Sequence, residues 1–229
     1  MPRPHESSFT DCMPYRRTQN VVRRLAEREQ TIRDAAQSIA AEAGMGAVQI
    51  AAVAQRADIA AGTVYRYFPS KTDLIADVIL GAAERELAAM RAAADAAPGP
   101  LSALAACIAT FAARALQERR LAWAVIAEPV DANIDGLRLA FRRRLATELE
   151  TRIKAAVTGG HLPDQDTRIS APAIVGVLME GLLGPLAPRA AADSGAMREA
   201  VQTTTLLALR ALGVVDARAR GLVAQCALP

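Results

Sequence analysis

The chain has 229 residues, 52% of them hydrophobic and 22% charged, so it carries enough apolar mass for one large or two smaller globular units and is excluded from the disordered classes. A net charge of only +3 does not by itself announce a nucleic-acid partner. Three cysteines at wide spacing, with no CxxC and only His5 and His161, suggest neither a disulfide framework nor a metal site, and no cofactor is implied.

Taken in chain order, residues 1–15 show no periodicity and three prolines, which predicts disorder. They hold Pro, His, Glu and Asp where a signal peptide would need an apolar core, and no later run reaches the roughly 18 to 20 uninterrupted apolar residues of a membrane span, so a cytoplasmic location is expected. Charge is unevenly spread. Residues 16–33 hold six arginines against Glu27 and Glu29, giving +4, whereas residues 34–99 hold five basic and eight acidic residues, giving −3. A basic arm over residues 1–22, with Arg23 and Arg24 beside it, would add salt-dependent affinity for phosphates; the alternative is a merely solvated tail.

Ile32, Ala35, Ala36, Ile39, Ala40 and Ala43 form an apolar stripe that ends at Gly44, the pattern of a first helix. Ile50, Val53, Ala54 and Ala57 line a second, short helix, and Ile59 and Val64 carry the buried set into a third. The turn between them falls at Asp58, a residue that tolerates the left-handed conformation better than most. Residues 60–68 then place Ala61, Gly62, Thr63, Arg66 and the Tyr65 and Tyr67 phenols outward, while Phe68 is expected in the core. A helix with such short N-terminal side chains fits deep into a major groove. Ser70 and Asp73 stand three apart before Leu74, Ile75, Val78 and Ile79, an acidic capping box that opens a fourth helix and puts Lys71 in its first turn, where it can meet a phosphate.

These residues carry a resemblance. Residues 28–80 resemble the DNA-binding domain of the TetR family of bacterial transcriptional regulators, most closely in GTVYRYFPSK, residues 62–71, which follows the family's Gly-Thr-Leu-Tyr-x-Tyr-Phe-x-x-Lys pattern with Val64 for Leu. The resemblance implies base or groove contacts from Ala61, Gly62, Thr63 and Arg66, and phosphate contacts from Gln49, Tyr65, Tyr67 and Lys71. Asp58 replaces the usual turn Gly, and Ala60 and Ala61 replace a common Ser-Lys, which removes a cap and one charged contact.

Beyond residue 80 the pattern stays helical. The fourth helix can run to about Ala97 before Pro98-Gly99-Pro100; further helices are expected over residues 101–118, 119–128, 134–157 and 169–186, with a terminal one over 196–212 that stops at Gly213. In the 134–157 helix, Leu137, Phe141, Leu145, Leu149 and Ile153 lie opposite Arg142, Arg143, Glu148 and Glu150. Phe111, Trp123, Ile126, Phe141 and Met179 are candidates to line a small-molecule pocket, though each could equally fill the core. Glu128 is open between a ligand contact and a solvated end. Cys107 is expected as a buried small side chain, a redox role being the lesser alternative. Val175, Leu178, Leu182, Leu206 and Leu209 carry surplus apolar surface, which the resemblance assigns to pairing of two copies through their last two helices.

The expectation is thus an all-α chain of about nine helices: a helix-turn-helix domain over residues 23–80 (motif about 49–68) and a ligand-binding and dimerisation domain over 81–229. The implied function is a ligand-responsive repressor that binds a palindromic operator as a homodimer and is released by a small apolar molecule. A helical ligand- or partner-binding module, or an activator, is the alternative. Without HExxH, GxSxG, Walker loop or GxGxxG, an enzyme is not expected.

Overall fold

A computed structural model describes residues 19–129, 132–188 and 194–226, and among these every regular element is helical. In chain order they are α1 (Gln19–Ala43), α2 (Ile50–Arg56), α3 (Ala61–Tyr67), α4 (Lys71–Asp95), α5 (Pro100–Gln117), α6 (Arg119–Ile126), α7 (Ala132–Thr158), α8 (Thr167–Leu178), α9 (Ser194–Ala211) and α10 (Asp216–Gln225). A short 3₁₀ turn, Met45–Ala47, links α1 to α2, and a π-helical turn, Met179–Leu183, extends α8.

The first three helices form a head. Ile32, Ala36 and Ala40 of α1 and Val53 and Val64 of the next two helices are at most 0% exposed, and Phe68 is buried as its place in the pattern requires. Ala43 departs from the expected stripe: it is exposed, because the chain turns away at Gly44, whose φ of +88° suits glycine. The N-terminal boundary also shifts. Residues 19–22, expected in an arm, already belong to α1, so Arg23 and Arg24 project from a helix; residues 1–18, with Arg16, Arg17 and Cys12, lie outside the described residues.

The fourth helix belongs to both halves, packing on α1 in the head and on α5 and α7 beyond it. Its start follows the expected cap: the Ser70 hydroxyl accepts the Asp73 amide at 3.1 Å. Arg33 of α1 is not a free basic residue but forks onto Asp77 of α4 at 2.5 and 3.1 Å, with its guanidinium 5.9 Å from the Phe68 ring centre. Asp77, helped by Glu29, raises the Arg33 pKa further. The head is bolted to the connector at this point.

At the centre of the body lies α5, which is apolar around nearly its whole circumference and packs against α4, α7 and α9. By length and composition it would suit a membrane, but 72% of it is buried inside the chain. Glu148 corrects the expected two-faced reading of α7: instead of facing water it is buried, where it accepts Arg91 Nε at 2.8 Å and Arg152 Nε at 2.9 Å. The reason is that α4 covers that side of α7 too, and a buried carboxylate needs such partners. Arg138 is likewise buried and donates to the Ala124 carbonyl at 2.7 Å, while burial pulls its pKa down.

Two further differences concern the C-terminal helices. The expected last helix is followed by α10, whose Ala219 and Val223 are buried four residues apart on one face, with Leu222 packed beside them. Val175, Leu178, Leu182 and Leu209, expected at an intersubunit face, are buried in the chain's own core, and Leu206 is half-buried. The apolar surplus is consumed because α7 packs against α8 from inside, and α5 packs against α9 and the π turn.

Candidate nucleic-acid interface and body cavity

The motif is built from the backbone outward. At the end of α2 the Ala57 amide still reaches Val53 O at 2.9 Å, and then Asp58 takes φ +52°, letting Ile59 N return to Ala54 O at 3.0 Å. That single left-handed residue turns the chain, as the sequence places it. Ala60 precedes α3 with an extended backbone and offers no side-chain cap, in line with its departure from the family pattern; only the backbone bond from Thr63 N to Ala60 O, 2.8 Å, closes the first turn.

Val64 alone of α3 is fully buried, and it anchors the helix. Ala61, Gly62 and Arg66 are exposed, Thr63 is half-exposed, and a Cβ placed on Gly62 would meet nothing within 4 Å. Tyr65 is 52% exposed, whereas Tyr67 is half-buried against the core. Gln49 is the exposed residue before α2, its side-chain amide donating to Gly46 O at 3.0 Å. Lys71, the first residue of α4, is partly exposed. The structure therefore brings Gln49, the outer face of α3 and Lys71 into one folded head. Arg23 and Arg24 stand exposed near the N-terminal end of α1, with Arg23 lightly paired to Glu27 at 3.5 Å.

Behind the head lies a cavity of about 200 Å³, lined by α1, α4, α5, α6, α7 and the π turn. Of the expected pocket residues, Phe111, Ile126 and Phe141 line it; Trp123 and Met179 do not, being turned into other packing. Its polar members come from residues the sequence pattern did not single out. Arg114 Nε donates to Glu86 Oε2 at 2.9 Å, and Arg85 Nη2 donates to Gln37 Oε1 at 2.8 Å. Burial raises the Glu86 carboxyl above its usual range, against the opposing pull of Arg114. One signal was present: Arg114 is the lone charge in the apolar α5, a position hard to occupy without a partner.

Glu128 is neither a ligand contact nor solvated. Its Oε2 accepts the Met45 amide at 2.9 Å and its Oε1 accepts Arg120 Nη2 at 3.0 Å, while Arg120 also donates to Ala43 O at 3.1 Å. The pair closes over Gly44, where an added Cβ would collide with both side chains. The end of α6 thus grips the link between α1 and α2.

Comparison with known proteins fits this geometry. Residues 32–78 match the profile described as bacterial regulatory proteins, tetR family. The chain is 53% identical over 53 residues to the HTH-type transcriptional repressor KstR of Mycolicibacterium smegmatis, covering 23% of this chain and 26% of that protein, and 49% identical over 59 residues to KstR of Rhodococcus jostii, covering 26% and 28%. It spans about a quarter of the length of these curated relatives. Among solved structures, RolR in complex with resorcinol aligns at a TM-score of 0.62 with 20% identity, over 91% of this chain and 98% of that one. FadR of Bacillus subtilis with stearoyl-CoA aligns at 0.61 with 18% identity, over 85% and 95%; identities this low speak for the fold. The head thus matches bacterial regulatory proteins of the tetR family in sequence over residues 32–78, and the described chain shares the fold of these solved structures.

Proposed function

We propose that this chain is a repressor that binds a palindromic operator as a homodimer in the cytoplasm and lets go when a small molecule enters the body cavity. The observation that carries the reading is the outer face of α3: three short residues, Ala61, Gly62 and Thr63, over open space, flanked by Arg66, Tyr65 and Lys71. Slim side chains bring the helix backbone near base edges, while Lys71, Tyr65, Tyr67 and Gln49 hold phosphates. Arg23 and Arg24 add charge at the end of α1. The KstR relatives, which are repressors, support the sign of regulation.

Pairing uses the outward faces of α8 and α9, since their inner residues are spent in the core. Ile169 at 69% exposure, Pro172, Ala173 and Gly176 on α8, with Leu207 on α9, form the apolar outside of these two packed helices. A two-fold contact there would put two α3 helices on successive turns of the duplex. Coupling follows from position. Gln37 of the head and Arg85 of the connector both line the cavity, so an occupant that prefers one head orientation shifts operator affinity by its differential binding, typically ~1–3 kcal/mol. The cavity's size fits a single-ring compound such as the resorcinol of RolR and is too small for a long acyl-CoA such as that of FadR.

The test is a mobility-shift titration on the promoter fragment of the chain's own gene across a salt series. Affinity should fall steeply with salt, and Lys71→Ala should weaken binding to all sequences and lower the log–log slope by about 1, whereas Thr63 and Arg66 variants also change sequence preference. A shift that is absent, or unmoved by all three variants, rejects the reading.

A further inference from the structure

The groups that the cavity leaves open are hydrogen-bond donors. Arg114 reaches it from α5, and of the donors on its planar guanidinium only Nε is spent, on Glu86 Oε2 at 2.9 Å. No acceptor among the described residues meets its Nη1 or Nη2. The side chain is 37% exposed although Phe111, Ala112, Ala113, Ala115 and Leu116 around it are buried, so its open surface is the part that borders the cavity. Two acceptors from the cavity's residues are spent and a third is closed off. Gln37 Oε1 accepts Arg85 Nη2 at 2.8 Å, Glu86 Oε2 faces Arg114, and Glu86 Oε1 is buried out of an occupant's reach. Glu118 also borders the cavity, but it is exposed at the end of α5.

Charge decides what an occupant brings. Arg85, Arg114, Glu86 and Glu118 sum to zero, and Glu86 already meets the Arg114 charge, so a second carboxylate there would crowd the first and a cation would face a guanidinium. An uncharged acceptor avoids both. An apolar group laid on Nη1 and Nη2 would strip their water and return no bond, whereas a carbonyl oxygen replaces it. The remaining wall is apolar, with Phe111, Leu121, Val125, Ile126, Phe141 and Leu183. A dry cavity of about 150 Å³ lined by such side chains holds benzene, and the space here, about 200 Å³, holds a ring with a short arm.

Resting on the reading of this cavity as the effector site, we infer that the effector is an uncharged carbonyl compound of about nine non-hydrogen atoms, an aryl ketone in its simplest form, whose oxygen accepts from the Arg114 Nη fork while its ring lies against Phe111 and Phe141. Arg114 then sets specificity. Glu86 is a positioning residue: by holding Nε it fixes the plane of the guanidinium and leaves the terminal fork to the occupant.

The experiment is calorimetric titration of the full chain with acetophenone, α-methylstyrene and benzoate. The three share one shape and differ only in the two groups on the carbon outside the ring: oxygen and methyl, methylene and methyl, or two carboxylate oxygens. Acetophenone should bind at least about tenfold tighter than either of the others. Arg114→Lys, which keeps a cation for Glu86 but removes the fork, should bring acetophenone and α-methylstyrene to within about threefold of each other. The double variant Arg114→Met/Glu86→Met, which strands no buried charge, is the second arm and should abolish the preference. Arg85→Met should leave it intact. Equal binding of acetophenone and α-methylstyrene to the native chain, tighter binding of benzoate, a preference that survives in both Arg114 variants, or one that is lost in Arg85→Met overturns the inference. The operator shift separates the two readings. Selective ketone binding that leaves the DNA complex intact refutes the release mechanism and keeps the specificity assignment, whereas operator binding with no affinity for any of the three compounds refutes the specificity assignment alone.

Discussion

Replacing Glu128 by alanine tests the grip that the body holds on the head. The side chain is 18% exposed and makes two contacts of different worth. The Met45 amide donates to a largely buried carboxylate at 2.9 Å, a charged hydrogen bond of ~1.5–3 kcal/mol, since removal also orphans the donor. The Arg120 pair, 42% exposed on the arginine side, adds at most about 0.5 kcal/mol. Glu128→Ala should therefore cost about 2–3 kcal/mol. Glu128→Gln, which keeps an acceptor but not the charge, should cost about 1 kcal/mol. Arg120→Ala loses the pair and its bond to Ala43 O at the end of α1, and should also cost about 1 kcal/mol. Denaturant unfolding followed by circular dichroism gives the three values. Amide hydrogen exchange gives a local one: the Met45 N–H should exchange at least about 30-fold faster in the alanine variant, the equivalent of ~2 kcal/mol. A Glu128→Ala cost below about 0.5 kcal/mol, or one smaller than that of Arg120→Ala, would show that the end of α6 does not hold the α1–α2 link.

The remaining predictions concern the motif and the core. Asp58 sits at φ +52°, so Asp58→Gly should raise the thermal midpoint slightly and Asp58→Val should cost about 1–2 kcal/mol; a valine variant as stable as the native chain would show that the turn does not need a left-handed residue. Gly62 has open space around it, so Gly62→Ala should stabilise the fold by up to about 1 kcal/mol through helix propensity, whereas Gly62→Leu should fold equally well yet abolish the operator shift. A leucine variant that still binds DNA would remove α3 from the groove. Cys107 is fully buried and its thiol is pushed up to about 12, so below that pH it stays protonated and unreactive. In a Cys12→Ser/Cys226→Ser background a disulfide exchange reagent at pH 8 should label Cys107 only after denaturation; rapid labelling of the native chain would revive a redox role.

Local chemistry made the head legible in the sequence. The spacing of Ile50, Val53 and Val64, the left-handed tolerance of Asp58 and the Ser70–Asp73 cap each act within a few residues, and the structure keeps them where the pattern places them. Phe68 was legible for the same reason. The body resisted because its assignments depend on what packs over each helix. Glu148 reads as a solvated charge until α4 covers it; Val175, Leu178, Leu182 and Leu209 read as a face for a second copy until α7 covers α8 and α5 covers α9 and the π turn. The cavity is the extreme case. Gln37, Glu86 and Arg114 stand 49 and 28 positions apart in succession, and no periodicity connects them.

Taken alone, the order of residues determined the helical class, the turn of the motif and the identity of its outward side chains, because hydrophobic spacing and backbone preference are properties of neighbouring residues. Only the tertiary arrangement decided which charges are buried, which apolar surface is left over and where an occupant can lie, because burial is a relation among helices that the chain brings together from far apart.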